Sequence, residues 1–216
     1  RVLAFFDGAK AMSDPALERI AAYWEGLRDG APMPARAALD PRGIGDALGN
    51  AFLMERVAPG EVRLRVAGRV LCDLMGMEVH GMPLSALVAD DARPALDAVI
   101  RQLFETPARV TLTIAGAGPA GGALSGEMRL WPLADRQGRA TRALGGIATA
   151  GRAPPAPCRL VIRARDVRPI PGAAPTTAPA PDLAEPPAPF DHAAPHPRRE
   201  GRPALRVIPG GRDDET

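Results

Sequence analysis

Histidine and cysteine, the side chains most used to ligate zinc and to act as base or nucleophile, are scarce in this chain of 216 residues, which carries three histidines and two cysteines. Cys72 and Cys158 lie far apart, so they build neither a disulfide framework nor a cysteine-based zinc site. His80 is the sole histidine before residue 150, while His192 and His196 sit among prolines and alanines, too sparse to hold a metal. Asp73, Glu78, Asp90 and Asp91 supply carboxylates, but no spacing joins them to a nucleophile, a base and an orienting group. Asp90 and Asp91 precede an amphipathic segment and read as a helix-capping, dipole-matching pair. The glycine-rich run "GAGPAGG" (116–122) joins two strand-like segments and lacks the Lys-Ser/Thr pair and following helix of a phosphate loop. No catalytic residue, metal site or cofactor is expected, and the chain does not read as an enzyme.

Two clusters are less bland. Tyr23, Trp24 and Arg28 on a helix precede Arg36 and Asp40 in a proline-broken segment. The segment is expected to cross the helix, with Arg36 paired to a carboxylate and stacked on Trp24, as a structural clamp. Further on, Gly76 and Gly81 bracket Met77 and His80, with Met82 and Leu84 just beyond. The glycines read as positive-φ positions at helix ends. Met77, His80, Met82 and Leu84 are candidates to line a pocket, methionine being adaptable enough to fit a variable ligand.

The elements that must position these residues follow from periodicity. Ser13-Asp14-Pro15 reads as a helix start, and Leu17, Ile20, Trp24 and Leu27 form an amphipathic stripe that stops near Gly30. "APMPARAALDP" is expected to be extended, and Asp40-Pro41 caps a short helix over Ile44 and Leu48. Segments 51–57 and 62–68 flank a Pro59-Gly60 turn and read as a hairpin, with Val62, Leu64 and Val66 alternating against Arg63 and Arg65. Short helices are expected in "GRVLCDLMG" and "MPLSALV", and a longer one from Asp90 to Phe104. Cys72 reads as a small buried hydrophobe in the first of these. Three strands then follow at 108–116, 123–134 and 141–150. Two strands, a helical crossover and three strands predict an α+β fold: a five-stranded antiparallel sheet with helices packed on one face.

Charge and proline divide the chain. Residues 1–150 hold 17 basic and 17 acidic side chains and the last 66 hold 10 and 8, with no clustered basic face of the kind nucleic acid requires. No segment has the apolar length to span a membrane. Of 25 prolines, 15 fall after residue 150. The expected organisation is an extension over 1–13, a folded domain over 14–150 and a mostly disordered Pro/Ala/Arg-rich tail over 151–216. Two β-prone islands interrupt the tail, "RLVIR" (159–163) and "ALRVI" (204–208); either could dock on a sheet edge. The scarcity of cysteine and the short apolar run at the start suggest a cytoplasmic protein.

The element order is that of the PAS fold, and three blocks narrow the likeness: "YWEGLRDGAPMPARAALDP" (23–41), "RLRVAGRVLCDLMGMEVHGMPL" (63–84) and "WPLADRQGRATRALGGI" (131–147). Tyr23, Trp24, Arg28, Arg36, Asp40, Arg65, Gly76 and Gly81 carry the pattern, which resembles a short PAS-type family found in alphaproteobacteria. The resemblance implies a sensory or regulatory module that acts through a regulatory protein partner, with room for a small apolar ligand beside the 77–84 linker. It also admits a homodimer through residues 14–29. Haem-binding relatives place their histidine on the longest helix, which has none here, and the Asn-Cys-Arg motif of flavin photoreceptors is missing. A small enzyme or ligand carrier on a curved α+β sheet is the alternative; it would place converging ionisable groups in a polar pocket.

Overall fold

The computed structural model describes residues 14–117, 124–152 and 155–175, all within the first of the two units into which the chain divides, Arg1–Ala178. Its elements are α1 (Pro15–Gly26), the hairpin β1 (Ala51–Ala58) and β2 (Glu61–Ala67), the crossover helices α2 (Arg69–Met75) and α3 (Arg93–Glu105), then β3 (Ala108–Ala117), β4 (Ser125–Ala134), β5 (Ala140–Ala150) and β6 (Arg159–Pro169). The strands form one antiparallel sheet in the order β2-β1-β5-β4-β3-β6.

The sixth strand corrects the five-strand expectation and moves the boundary drawn at residue 150. The "RLVIR" island opens β6, which pairs with β3 from Ala108↔Pro169 to Ala117↔Arg159. The approach to it is anchored as well: the Cys158 amide donates to Leu74 O (2.8 Å) and the Ala89 amide to Leu160 O (2.9 Å). Cys158 and Leu160 are buried. Prolines surround this stretch, but Pro155 and Pro157 stop short of the strand and Pro169 closes it, so the ladder between them loses no donor. The second island, 204–208, lies outside the described residues.

Helices cover both faces of the sheet, not one. Gly145 and Gly146 are neighbours on β5 and so face opposite ways. A Cβ on Gly145 would strike the Phe52 ring, and one on Gly146 would meet Leu17 and Ile20 of α1. Only hydrogen at these two positions lets a ring on one face and a helix on the other sit directly on the strand. The inner face carries the crossover. Leu96, Val99, Ile100, Leu103 and Phe104 of α3 join Val110, Leu112, Ile114, Met128 and Leu130 in one buried cluster with Leu71, Leu74 and Leu87. Burying each large aliphatic chain contributes roughly 1.5–3 kcal/mol. The outer face carries α1, whose start is capped as expected: the Asp14 carboxylate accepts from the amides of Ala16 (2.9 Å) and Leu17 (3.4 Å).

Other local expectations shift. Asp90 and Asp91 fall in a 3₁₀ turn, Asp90–Ala92, and α3 begins at Arg93 behind Ala92, with no side-chain cap. Asp90 instead pairs with Arg93 (2.8 Å) and Arg159 (3.6 Å). The segment Pro41–Asn50 is 3₁₀ with a break at Gly45 (φ 59°), so Ile44 is buried while Leu48 is exposed. No helix among the described residues is long and apolar enough to cross a membrane.

Candidate functional site

The 77–84 linker leaves α2 through Gly76, which caps the helix in the left-handed region (φ 68°), and turns again at Gly81 (φ 77°). Glu78 ties the first bend, accepting from the amides of Val79 (3.1 Å) and His80 (3.2 Å) and lying 3.8 Å from the Cys72 thiol. Cys72 is half-buried, less enclosed than the sequence suggests. The linker then runs beside β2, with the Gly81 amide donating to Leu64 O (2.7 Å) and the Leu64 amide to Met82 O (2.9 Å). This pairing sorts the four pocket candidates. Leu84 is buried in the inner core and Met82 packs half-buried against it. Met77 is 55% exposed and His80 is exposed, because both lie on the outer side of the bends. The four do not converge; Val79, fully buried between them, is the inward residue that sequence reading passed over.

On the other face, the clamp forms with different partners. The Tyr23 hydroxyl donates to Asp40 O and accepts from the Asp40 amide, both at 2.7 Å. Trp24 is buried and its indole N–H donates to Pro132 O (3.0 Å). The guanidinium groups over its ring belong to Arg28 (5.4 Å) and Arg109 (6.0 Å), not Arg36. Arg36 has no carboxylate partner among the described residues, and its Nε is buried without a hydrogen bond. The segment is not extended throughout: it turns 3₁₀ over Arg36–Ala38 and docks through its backbone, the Ala134 amide donating to Pro34 O (2.9 Å). Arg65 is the extra residue of a bulge between Leu53↔Val66 and Met54↔Leu64, which aims it at Glu55 (2.6 Å). Arg142 reaches the same carboxylate (2.7 Å). Burial opposes ionisation of Glu55, but hydrogen bonds and charge from Arg65 and Arg142 outweigh it and hold its carboxyl below the usual glutamate range.

Beside α1 the outer face is open. A groove of about 450 Å³ lies over β4, β3 and β6, with Ala21 of α1 as one wall and Arg109, Thr111, Glu127, Arg129, Asp166 and Arg168 among its lining. Register places Arg109 directly across from Arg168, and Thr111 between Arg129 and Asp166. Glu127, buried despite its charge, is bound by Arg129, which also reaches Glu18 of α1 (3.0 Å).

The PAS domain family profile matches residues 12–148, more than half of the chain. The chain belongs to the PAS domain family. No curated protein matches it. The matched span of this PAS domain runs from α1 through β5; β6 and its anchoring turn lie beyond the match.

Proposed function

We propose that this PAS domain is a sensory or protein-interaction module without chemistry of its own, in which occupation of the layer between sheet and crossover by a small apolar ligand biases the docking of β6. The output then runs through a regulatory protein partner that reads the chain beyond β6. One observation carries this reading: Cys158 just before β6 and Leu160 at its start are hydrogen-bonded to the crossover at Leu74 and Ala89, while the strand pairs with β3. A shift of α2 or of the 84–89 turn therefore changes how β6 is held, a population shift rather than a remodelled site. An apolar occupant is favoured because the side chains of the inner layer are apolar; Met82 and Leu84 give that layer an adaptable border at the linker. We read the protein as cytoplasmic from its sparing use of cysteine. A homodimer through residues 14–29 would use Glu18, Arg19 and Ala22, because Leu17, Ile20 and Trp24 face the protein's own sheet.

Native mass spectrometry with an absorption spectrum tests occupancy, and hydrogen exchange tests the coupling. Leu87→Ala, which loosens the crossover, is expected to speed exchange of the 158–164 amides as well as those of its own turn. Unchanged protection of β6 would overturn the coupling. Affinity capture should compare the whole chain with one ending at residue 175, since a cut at 150 removes a strand.

A further inference from the structure

The groove on the α1 face has a charge arrangement that folding alone does not explain. Arg109 of β3 and Arg168 of β6 are direct cross-strand partners in an antiparallel pair. Like charges so placed stand roughly 4.5–5.5 Å apart at Cβ and repel. Each acid in the groove is already tied to the arginine two residues along its own strand: Glu127 to Arg129, and Asp166 to Arg168 at 2.8 Å. Arg109 rests 6.0 Å from the Trp24 ring centre and 3.3 Å from Glu25, and its Nε is buried with no hydrogen-bond partner. A buried guanidinium N–H without an acceptor is costly, and a planar fork of donors matches an oxyanion.

We propose that this groove binds a small molecule through a carboxylate or phosphoryl group seated between Arg109 and Arg168, above Thr111. The bound oxyanion would accept from the solvent-exposed part of the Arg109 guanidinium and from Arg168, and relieve the repulsion across the β3–β6 pair. The volume, about 450 Å³, falls in the range of small-molecule sites. Arg168 is exposed enough to meet a ligand from solvent, and Ala21 keeps the α1 wall low. Glu18 and Glu25 on α1 form an acidic rim engaged by Arg129 and Arg109, so the seat favours a compact anion. This site lies across the sheet from the apolar layer, and either can fail without the other.

Calorimetric titration of the full chain with inorganic phosphate and with succinate, at constant ionic strength in chloride, tests the proposal. One saturable site is expected for at least one of the two, and which one binds identifies the headgroup. Arg168→Gln is expected to weaken binding by about tenfold or more, the loss of a charge-assisted contact. Without anion, the same variant should melt close to the parent, because the ion pair lost with Asp166 is exposed and a like-charge contact ends with it. Arg109→Lys, which keeps the charge and loses the fork, should also weaken binding. Absence of saturable binding by both anions at millimolar concentration would overturn the site, as would binding that both variants retain.

Discussion

The two faces of the sheet are built from the same strands yet finished differently. The inner face is apolar to its margins and is roofed by α2, the linker and α3. The outer face is apolar only where α1 lies, over β4 and β5, and turns polar over β3 and β6. β3 makes the contrast within one strand: Val110, Leu112 and Ile114 are buried inward while Arg109, Thr111 and Thr113 line the groove. Its alternation is the period-two signature of a strand with one wet face. β5, covered on both sides, is buried without interruption from Ala143 to Ala148. Cover decides pattern: a strand beneath helices on both sides has no polar phase left.

Removing one anchor from each face gives the largest test of this contrast. Phe104→Ala inside and Trp24→Ala outside should each cost about 3–5 kcal/mol in urea unfolding, since both side chains are fully buried. If Trp24→Ala costs under about 1 kcal/mol, α1 is a loose cover and the faces differ in kind. Next comes the edge. Leu160→Ala should cost about 2–4 kcal/mol and speed exchange along β6, because Leu160 is buried where the strand meets the crossover. A loss confined to global stability, with β6 exchange unchanged relative to its neighbours, would separate that strand from the inner layer.

Gly76→Ala should cost about 1–2 kcal/mol for its left-handed backbone, and its Cβ would also press on Ala156. The smallest effect is electrostatic and belongs to the outer face. The folded-state pKa of Glu55 is depressed by Arg65 and Arg142. Its contribution is therefore present above the ordinary glutamate pKa and is lost as pH falls through the folded value. Glu55→Gln should narrow the gap in urea midpoint between neutral pH and about pH 3–4; an unchanged gap would remove this network from the acid response.

Sequence periodicity located the hairpin, both crossover helices and the three strands after them, because each buries a regular stripe. It could not place α1, since an amphipathic helix announces that it will be covered without naming the face; Gly145-Gly146 was the signal, two adjacent hydrogens facing opposite ways. β6 is legible as the β-prone island "RLVIR" with a sheet edge as its expected seat, but nothing in its proline-rich surroundings says which edge. The clamp was legible in Tyr23, Trp24 and Asp40, whereas Arg36 was credited with contacts that Arg28 and Arg109 make. Arg109 was invisible as a site residue because its partner across the sheet, Arg168, lies in sequence assigned to the tail. A groove assembled from three strands has no linear motif.

The margins of the sheet meet solvent in unlike ways. Residues 81–83 lie along β2 and take up the outward amide and carbonyl of Leu64, while the opposite rim, beyond the contact at Leu160, carries Arg163, Arg165, Asp166 and Arg168 and stops at Pro169. Two copies of the chain approaching rim to rim would have to bury charged side chains against each other and would end on a residue with no N–H to offer. The same strand that completes the sheet thus leaves a rim poorly suited to receive another of its own kind.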